Sequence, residues 1–476
     1  MFTLGDILQQ ANKEDMSVHI SGTLAPNPEM IFREAHHDSR QVKAGDLFIA
    51  LKGEKVDGHD YIASAARAGA RAALCARPVA DIPPGFLQII VPDVIKALHA
   101  TAHARTQRQP ETLYLGITGS NGKTSTKEAI AAILERSAPT LKTLASYNTE
   151  IGYPLTLLRL EPQHRYAVLE MGAQWVGELT MLSRVTRPTW SLITNVGSSH
   201  LGYFGSPEQI AIAKSELVQA LAPDGLALLN YDDLRVRAMS AQTSAPVLYY
   251  GQGEGADVRA TDIAGDSLFG RRFTLRYKGE EMPIQLHIPG EHGITIALAA
   301  AAVGCAAGIS LDEIRQALEA LKPAKRRGEI KPGPNGSTLI DDSYNANRQS
   351  ILAIAQAMHD TTLASGGRRW AVLGDILELG KYSREEHRAC GAALAPLVDS
   401  LVAIGEQARF YVEGALDAGM PSENAYFYSA DIENSAELEA AKRAAADLLK
   451  AEIRSSDLVL IKASLGLAMD TLINQL

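Results

Sequence analysis

Long apolar runs are missing from this 476-residue chain. The best candidate, 297–307, is broken by Gly304 and falls well short of the ~20 residues a membrane-spanning helix needs. Cysteine is scarce: Cys75, Cys305 and Cys390 are odd in number and far apart, which excludes a disulfide framework and a cysteine metal site. Positive charge is not in excess either. Forty-six Lys and Arg face 55 Asp and Glu, a net charge of −9, so a general nucleic-acid or anionic-membrane binder is excluded. Any anionic substrate must be held by local clusters. Residues 1–16 lack a basic start followed by an apolar run, so no signal peptide is expected and the chain reads as cytoplasmic. Tandem repeats and low-complexity segments are also missing.

What is present is an ordinary globular composition, 46% hydrophobic and 21% charged, on a chain long enough for about three domains. The first unit carries strands expected at 46–51, 72–75 and 87–91 and a helix at 61–68. A polar stretch, 105–111, ends it. Strand and helix then alternate (strands 113–117, 166–171, 191–196 and 226–230; helices 127–134 and 210–222), the pattern of a parallel sheet covered on both faces. Residues 258–289 switch to period-two runs, which predict an antiparallel hairpin added to that sheet. Helices at 294–307 and 311–321 follow. The basic, breaker-containing stretch 322–328 is the second boundary. Beyond it alternation restarts, with strands at 338–340, 370–373, 400–404 and 458–461 and helices at 350–358, 385–394 and 436–449. The expected fold is α/β in three domains: a small N-terminal α/β domain (1–108), a central P-loop parallel-sheet domain (109–323) and a C-terminal, Rossmann-like doubly wound domain (324–476).

The chemistry is densest at residues 116–128, Gly-Ile-Thr-Gly-Ser-Asn-Gly-Lys-Thr-Ser-Thr-Lys-Glu. A glycine-rich turn between strand and helix frees backbone N–H groups to wrap phosphate oxygens, and the helix N-terminus adds partial positive charge. Lys123 supplies a full charge and the Thr124 hydroxyl suits Mg²⁺. The spacing is a short Gly119-x-x-Gly122-Lys123-Thr124 version, so Gly119, Ser120, Asn121, Gly122, Lys123, Thr124 and Ser125 are the expected polyphosphate cradle. Ligands of open α/β sheets bind beyond the carboxyl ends of the strands. There Glu170 is a candidate Mg²⁺ ligand, while His200 and Lys214 are polar groups open to either a surface or a functional reading. In the third unit Asp341-Asp342, Gly374-Asp375 and Lys462 each follow a strand and together offer a face to a ligand. Arg327, in the linker, is placed for a hinge that delivers an arginine to a phosphate. In the first unit Ser39, Arg40 and Lys52 are the groups able to hold an anion.

Several segments together resemble the Mur ligases. They are the loop 118–124, Tyr147-Asn148-Thr149-Glu150-Ile151-Gly152-x-Pro154, Leu169-Glu170-Met171-Gly172-Ala173, and Thr194-Asn195-Val196-Gly197-x-x-His200. Asp38-Ser39-Arg40, Asp342-Ser343-Tyr344-Asn345-Ala346-Asn347 and Leu373-Gly374-Asp375-x-x-Glu378-Leu379-Gly380 resemble the members that add D-alanyl-D-alanine to a UDP-muramoyl-tripeptide. The resemblance implies ATP-dependent amide formation through an acyl phosphate, in peptidoglycan precursor synthesis. It implies ATP contacts from the loop, His292, Arg327 and Asp342, and two Mg²⁺ ions held by Thr124, Glu170, His200 and a carbamylated Lys214. Lys123, Glu170, His200 and Lys214 would carry catalysis. Ser39, Arg40, Lys52, Asn148, Thr149, Asn345 and Asn347 would contact the UDP-muramoyl peptide and the dipeptide. It implies a monomer working on small molecules. Leu465 stands where the family commonly has arginine, and Gly293 and Ile296 where it has amides near the adenine.

Overall fold

The computed structural model describes residues 1–53 and 56–476 and builds three main sheets of five, nine and six strands. The first runs His19–Gly22, Leu87–Ile90, Ala72–Cys75, Leu47–Ile49, Ala35–His36, parallel except for its first pair. Ala72–Cys75 falls on the expected residues and is buried throughout, as a strand covered on both faces must be. A ribbon of Phe2–Thr3 with Ile31–Phe32 and the helix Leu4–Lys13 were not legible in the pattern. That helix is fixed by a reciprocal Thr3–Asp6 capping box. The helix Val94–Gln107 leaves this unit and lies against the next, with Arg105 Nε donating to Leu160 O at 2.9 Å.

The second sheet runs Glu280–Leu286, Gly270–Tyr277, Val258–Asp266, Val247–Gly251, Leu226–Asn230, Trp190–Ile193, Leu113–Thr118, Tyr166–Glu170, Thr140–Lys142. Pairings from Thr140–Lys142 to Val258–Asp266 are parallel. The last two strands add on antiparallel, as the period-two runs predicted. Leu113–Thr118 is flanked by Tyr166–Glu170 on one side and Trp190–Ile193 on the other. The chain therefore reverses its direction of travel across the sheet beside this strand, which opens a crevice at its carboxyl end. The helix Glu291–Ala306 is almost entirely buried small residues. A Cβ on Gly304 would come within 2.8 Å of Ile133 Cγ2, so glycine sets the close approach to the helix Lys123–Leu134.

The third sheet runs Glu329–Pro332, Thr338–Asp341, Leu458–Lys462, Arg369–Gly374, Ser400–Ile404, Ala425–Tyr428. Only Glu329–Pro332 is antiparallel. Its core is Trp370, Val372, Val402 and Val459, all within 1% exposure. No helix among the described residues is long and apolar enough to cross a membrane.

Candidate active site

A cleft of about 760 Å³ lies between the second and third sheets, bounded by the carboxyl ends of their strands. Its floor is the loop after Leu113–Thr118. Gly119 sits at φ +151° with no room for a Cβ, which would stand 1.8 Å from Thr194 Oγ1. Gly122 sits at φ +78° and starts the helix Lys123–Leu134. Both conformations favour glycine, and the first-turn amides of that helix have no intrahelical acceptor. The segment after Trp190–Ile193 braces the loop. Asn195 Oδ1 accepts Asn121 N at 2.9 Å, Thr194 Oγ1 donates to Asn121 O at 2.7 Å, and Gly197 N donates to Ser120 Oγ at 2.8 Å. The loop is thus held open in advance, which lowers the ordering cost of binding a polyphosphate. Lys123 Nζ donates to Gly119 O at 2.7 Å. Burial pulls its pKa below the ordinary lysine value, with Glu170 opposing and Arg327 assisting.

Glu170 ends the strand beside the loop and is 1% exposed. Its Oε1 accepts Asn148 Nδ2 at 2.8 Å, whereas Oε2 is buried with no hydrogen-bond donor among the described residues. Lys127 Nζ lies 3.9 Å from Oε2. Thr124 lines the same cleft. Among the described residues no ready cluster of three His, Cys, Asp or Glu is set for a metal. That suits Mg²⁺, which takes one or two protein oxygens and completes its shell with phosphate and water. A buried carboxylate oxygen with nothing donating to it, beside a phosphate loop, fits that ion.

His200 has a left-handed backbone, φ +59°, and its Nδ1 lies 2.5 Å from Glu378 Oε2 of the third unit. That hydrogen bond holds the Glu378 carboxyl below its ordinary value. Lys214, on the helix Pro207–Gln219, is 3% exposed. Burial drives its pKa well below the usual lysine value, with repulsion from Lys123 in the same direction and Glu178 opposing. Among the described residues no hydrogen bond or ion pair engages its amine, and it is not one of the residues that line the cleft.

The third unit reaches back into the cleft. Arg327 Nη2 donates to Thr124 Oγ1 at 3.1 Å, and the guanidinium stacks 4.0 Å above the Tyr344 ring. Lys462 Nζ is 2.5 Å from Asp342 Oδ2 and donates to Asn345 O at 2.7 Å. Asn347 caps the helix Arg348–Asp360 and turns its Nδ2 to Asn121 Oδ1 and to Ser199 Oγ. Asn148, Thr149, Asn345 and His292 line the cleft, as does Leu465, half exposed. Ser39, Arg40 and Lys52 are not brought there. Arg40, 88% exposed, is forked onto Asp38 instead. Asp375 does not face a ligand either. Its carboxylate accepts Glu406 N, Gln407 N and Ala408 N, and burial raises its pKa to about 6. Glu378, quoted above only within a segment that resembles the family, and Gln349 also line the cleft without having been singled out. Only Glu378 carried a signal, as an acid shortly after a strand end.

A phosphate loop at a parallel-sheet switch point, capped by a second α/β unit that offers an arginine, is the architecture of an ATP-driven ligase. Family models agree: Mur ligase family, catalytic domain, matches residues 34–108, Mur ligase middle domain 117–304, and Mur ligase, glutamate ligase domain, 326–465. This chain belongs to the Mur ligase family. It is 37% identical, over 92% of its length and 91% of the other's, to the UDP-N-acetylmuramoyl-tripeptide–D-alanyl-D-alanine ligase of Mycobacterium tuberculosis. Its fold matches a crystal structure of MurF from Acinetobacter baumannii with a TM-score of 0.85, at 32% identity over 99% of this chain and 98% of that one. It also matches MurF ligase from Thermotoga maritima in complex with ADP, with a TM-score of 0.78 at 25% identity over 94% and 97%.

Proposed function

We infer that this chain is an ATP-dependent carbon–nitrogen ligase that joins D-alanyl-D-alanine to UDP-N-acetylmuramoyl-tripeptide in peptidoglycan precursor synthesis. The observation that carries the reading is Arg327 crossing the cleft to the phosphate-loop hydroxyl of Thr124. In this reading that contact sets Arg327 beside the γ-phosphate, where a substrate carboxylate would attack. The likeness to D-alanyl-D-alanine ligases over nearly the whole chain supports the choice of substrates.

In this reading the amides and ammonium of residues 119–125 bind and orient the triphosphate. The precursor carboxylate attacks the γ-phosphorus, ADP leaves, and the dipeptide amine then displaces phosphate from the acyl phosphate to form the amide. Lys123 and Arg327 offset charge on the transferring group, since positioning and fixed charges carry most of phosphoryl-transfer catalysis. Thr124, Glu170, His200 and a carbamylated Lys214 would hold Mg²⁺, which neutralises phosphate oxygens. A carbamate at Lys214 is chemically reasonable. Burial, which lowers the pKa of Lys214, favours the neutral amine; its nitrogen attacks CO₂, a proton departs, and an anionic oxygen ligand replaces an ammonium that would repel the metal. The units 1–108, 109–323 and 324–476 would take the UDP end, ATP and the dipeptide, with Ser39, Arg40 and Lys52 serving the first. In this reading the enzyme works as a monomer on small molecules, and nucleotide-linked substrates support a cytoplasmic site of action.

The test is phosphate release. Purified protein with ATP, Mg²⁺, UDP-muramoyl-tripeptide and D-alanyl-D-alanine should release phosphate only when both acceptor and dipeptide are present. Release that ignores the dipeptide but responds to another amine would favour a related amide ligase, a reading motivated by Leu465 in the cleft wall.

A further inference from the structure

Lys127 is a charged side chain with no solvent exposure at all, one turn along the helix from Lys123 and outside the roles assigned so far. An ammonium is buried this completely only where its three protons are taken up. Here Nζ donates to Thr143 O at 2.7 Å and to Ala145 O at 2.8 Å, and lies 3.1 Å from Glu128 Oε1 and 3.9 Å from Glu170 Oε2. Glu128 is shared in turn with Lys142 at 2.7 Å.

The two carbonyls belong to a turn with work to do. Thr143 Oγ1 accepts Glu170 N at 2.9 Å. Ala145 is held at φ +44°, a left-handed conformation unfavourable for an L-alanine. Past it, Ser146 Oγ meets Tyr344 OH of the third unit at 2.5 Å, Asn148 Nδ2 holds Glu170 Oε1, and Gly172 N donates to Asn148 O at 2.8 Å. Segment 143–149 is therefore held at one end by the Lys127 ammonium on two of its carbonyls, beside the ladder bond from Thr143 N to Val168 O at 3.1 Å. At the other it orients the Glu170 carboxylate and touches the closing unit.

We propose that Lys127 is a positioning residue for the ligase reaction: it fixes the strained 143–149 turn and thereby sets the Glu170 carboxylate and the Ser146–Tyr344 contact for productive closure. The phosphate loop does not depend on it, since residues 194–199 brace that loop independently. Loss of Lys127 should thus leave nucleotide binding and impair turnover, a separation that general unfolding would not produce. The proposal rests on the ligase reading for its kinetic arm only.

The experiment uses full-length Lys127→Met and Lys127→Gln, with Ala145→Gly added to each, because glycine adopts φ +44° without strain. Hydrogen exchange should show residues 143–149 losing protection by about tenfold or more while Leu113–Thr118 keeps its own. ADP affinity by calorimetry should stay within about threefold of the parent, and kcat should fall about 10²-fold with a smaller change in the KM for ATP. Ala145→Gly should return several-fold of the lost kcat. Unchanged protection of 143–149 in a folded variant overturns the proposal, as does ADP affinity falling in step with kcat. Failure of both variants to fold does so too, because it assigns Lys127 to the core. If the parent itself forms no amide, the ligase reading fails while the exchange result still judges the role of Lys127.

Discussion

Arg327 and Thr124 stand 203 residues apart in sequence and meet at 3.1 Å across the cleft. The arginine is already ordered for this contact by the Tyr344 ring beneath it, so little side-chain entropy is left to lose on meeting a phosphate. Arg327→Ala should lower kcat by about 10²-fold or more, as expected for removing a preorganised cation from a phosphoryl-transfer site. The thermal midpoint should barely move, because the side chain is half-buried against a cleft and not packed in a core. Rapid-quench measurement of phosphate release checks the rate, and Arg327→Lys should recover only a small part of it, since an ammonium cannot stack or fork as a guanidinium does.

Lys123→Ala isolates the charge on the phosphate loop. The ammonium rests on the carbonyl of Gly119, a contact within the loop, so its loss leaves the sheet intact. Turnover should drop by about 10³-fold with an unchanged circular dichroism spectrum. Residual activity close to the parent would mean that charge on the transferring group is offset elsewhere.

The site was legible where its geometry is local. Gly119, Gly122 and Lys123 sit between one strand and one helix, so spacing alone places them, and Glu170 follows from an apolar run ending in an acid. Contacts between units left no such trace. His200 with Glu378, Asn121 with Asn347 and Arg327 with Thr124 join residues more than a hundred positions apart, and no periodicity encodes a partner at that distance. Asp375 looked like a ligand group by the same strand-end rule that served for Glu170. Three backbone amides from 406–408 claim its carboxylate instead. One edge strand, Ala425–Tyr428, was not expected even though its Ala-Tyr-Phe-Tyr run is apolar and aromatic; four residues are too few for periodicity alone to assign.

Lys214→Ala tests the carbamate. The variant removes a nearly unexposed amine that no group among the described residues engages, so the fold should survive while activity is lost. Added acetate or formate should restore part of it by supplying the missing oxygen ligand, whereas chloride at equal ionic strength should not. In the parent, activity after gas stripping should rise again on adding bicarbonate. Full activity of Lys214→Ala without rescue would remove the carbamate from the mechanism.

His387 gives the third unit a pH-dependent stability of predictable sign. It is fully buried, accepts Ile376 N on Nε2 at 3.0 Å and donates from Nδ1 to Ser383 O at 2.7 Å. Burial lowers its pKa from 6.5 to about 4, with the Ser383 carbonyl opposing. Between those values the unfolded chain holds a proton that the folded chain refuses. Stability from this residue is therefore complete above pH 6.5 and is lost as the pH falls toward 4. Asp375, raised to about 6, acts in the opposite direction over much of the same range, so the parent's overall profile conceals both effects. His387→Gln uncovers them. The glutamine carbonyl can accept Ile376 N and its amide can donate to Ser383 O, yet it does not titrate. Relative to the parent, the variant should gain about 1–3 kcal/mol between pH 7 and pH 4.5. The gain should be read as a shift in urea midpoint from the fluorescence of Trp370, buried in the sheet of the third unit, with Trp175 and Trp190 replaced by phenylalanine. Equal shifts of variant and parent across that range would show that His387 is protonated in the folded protein.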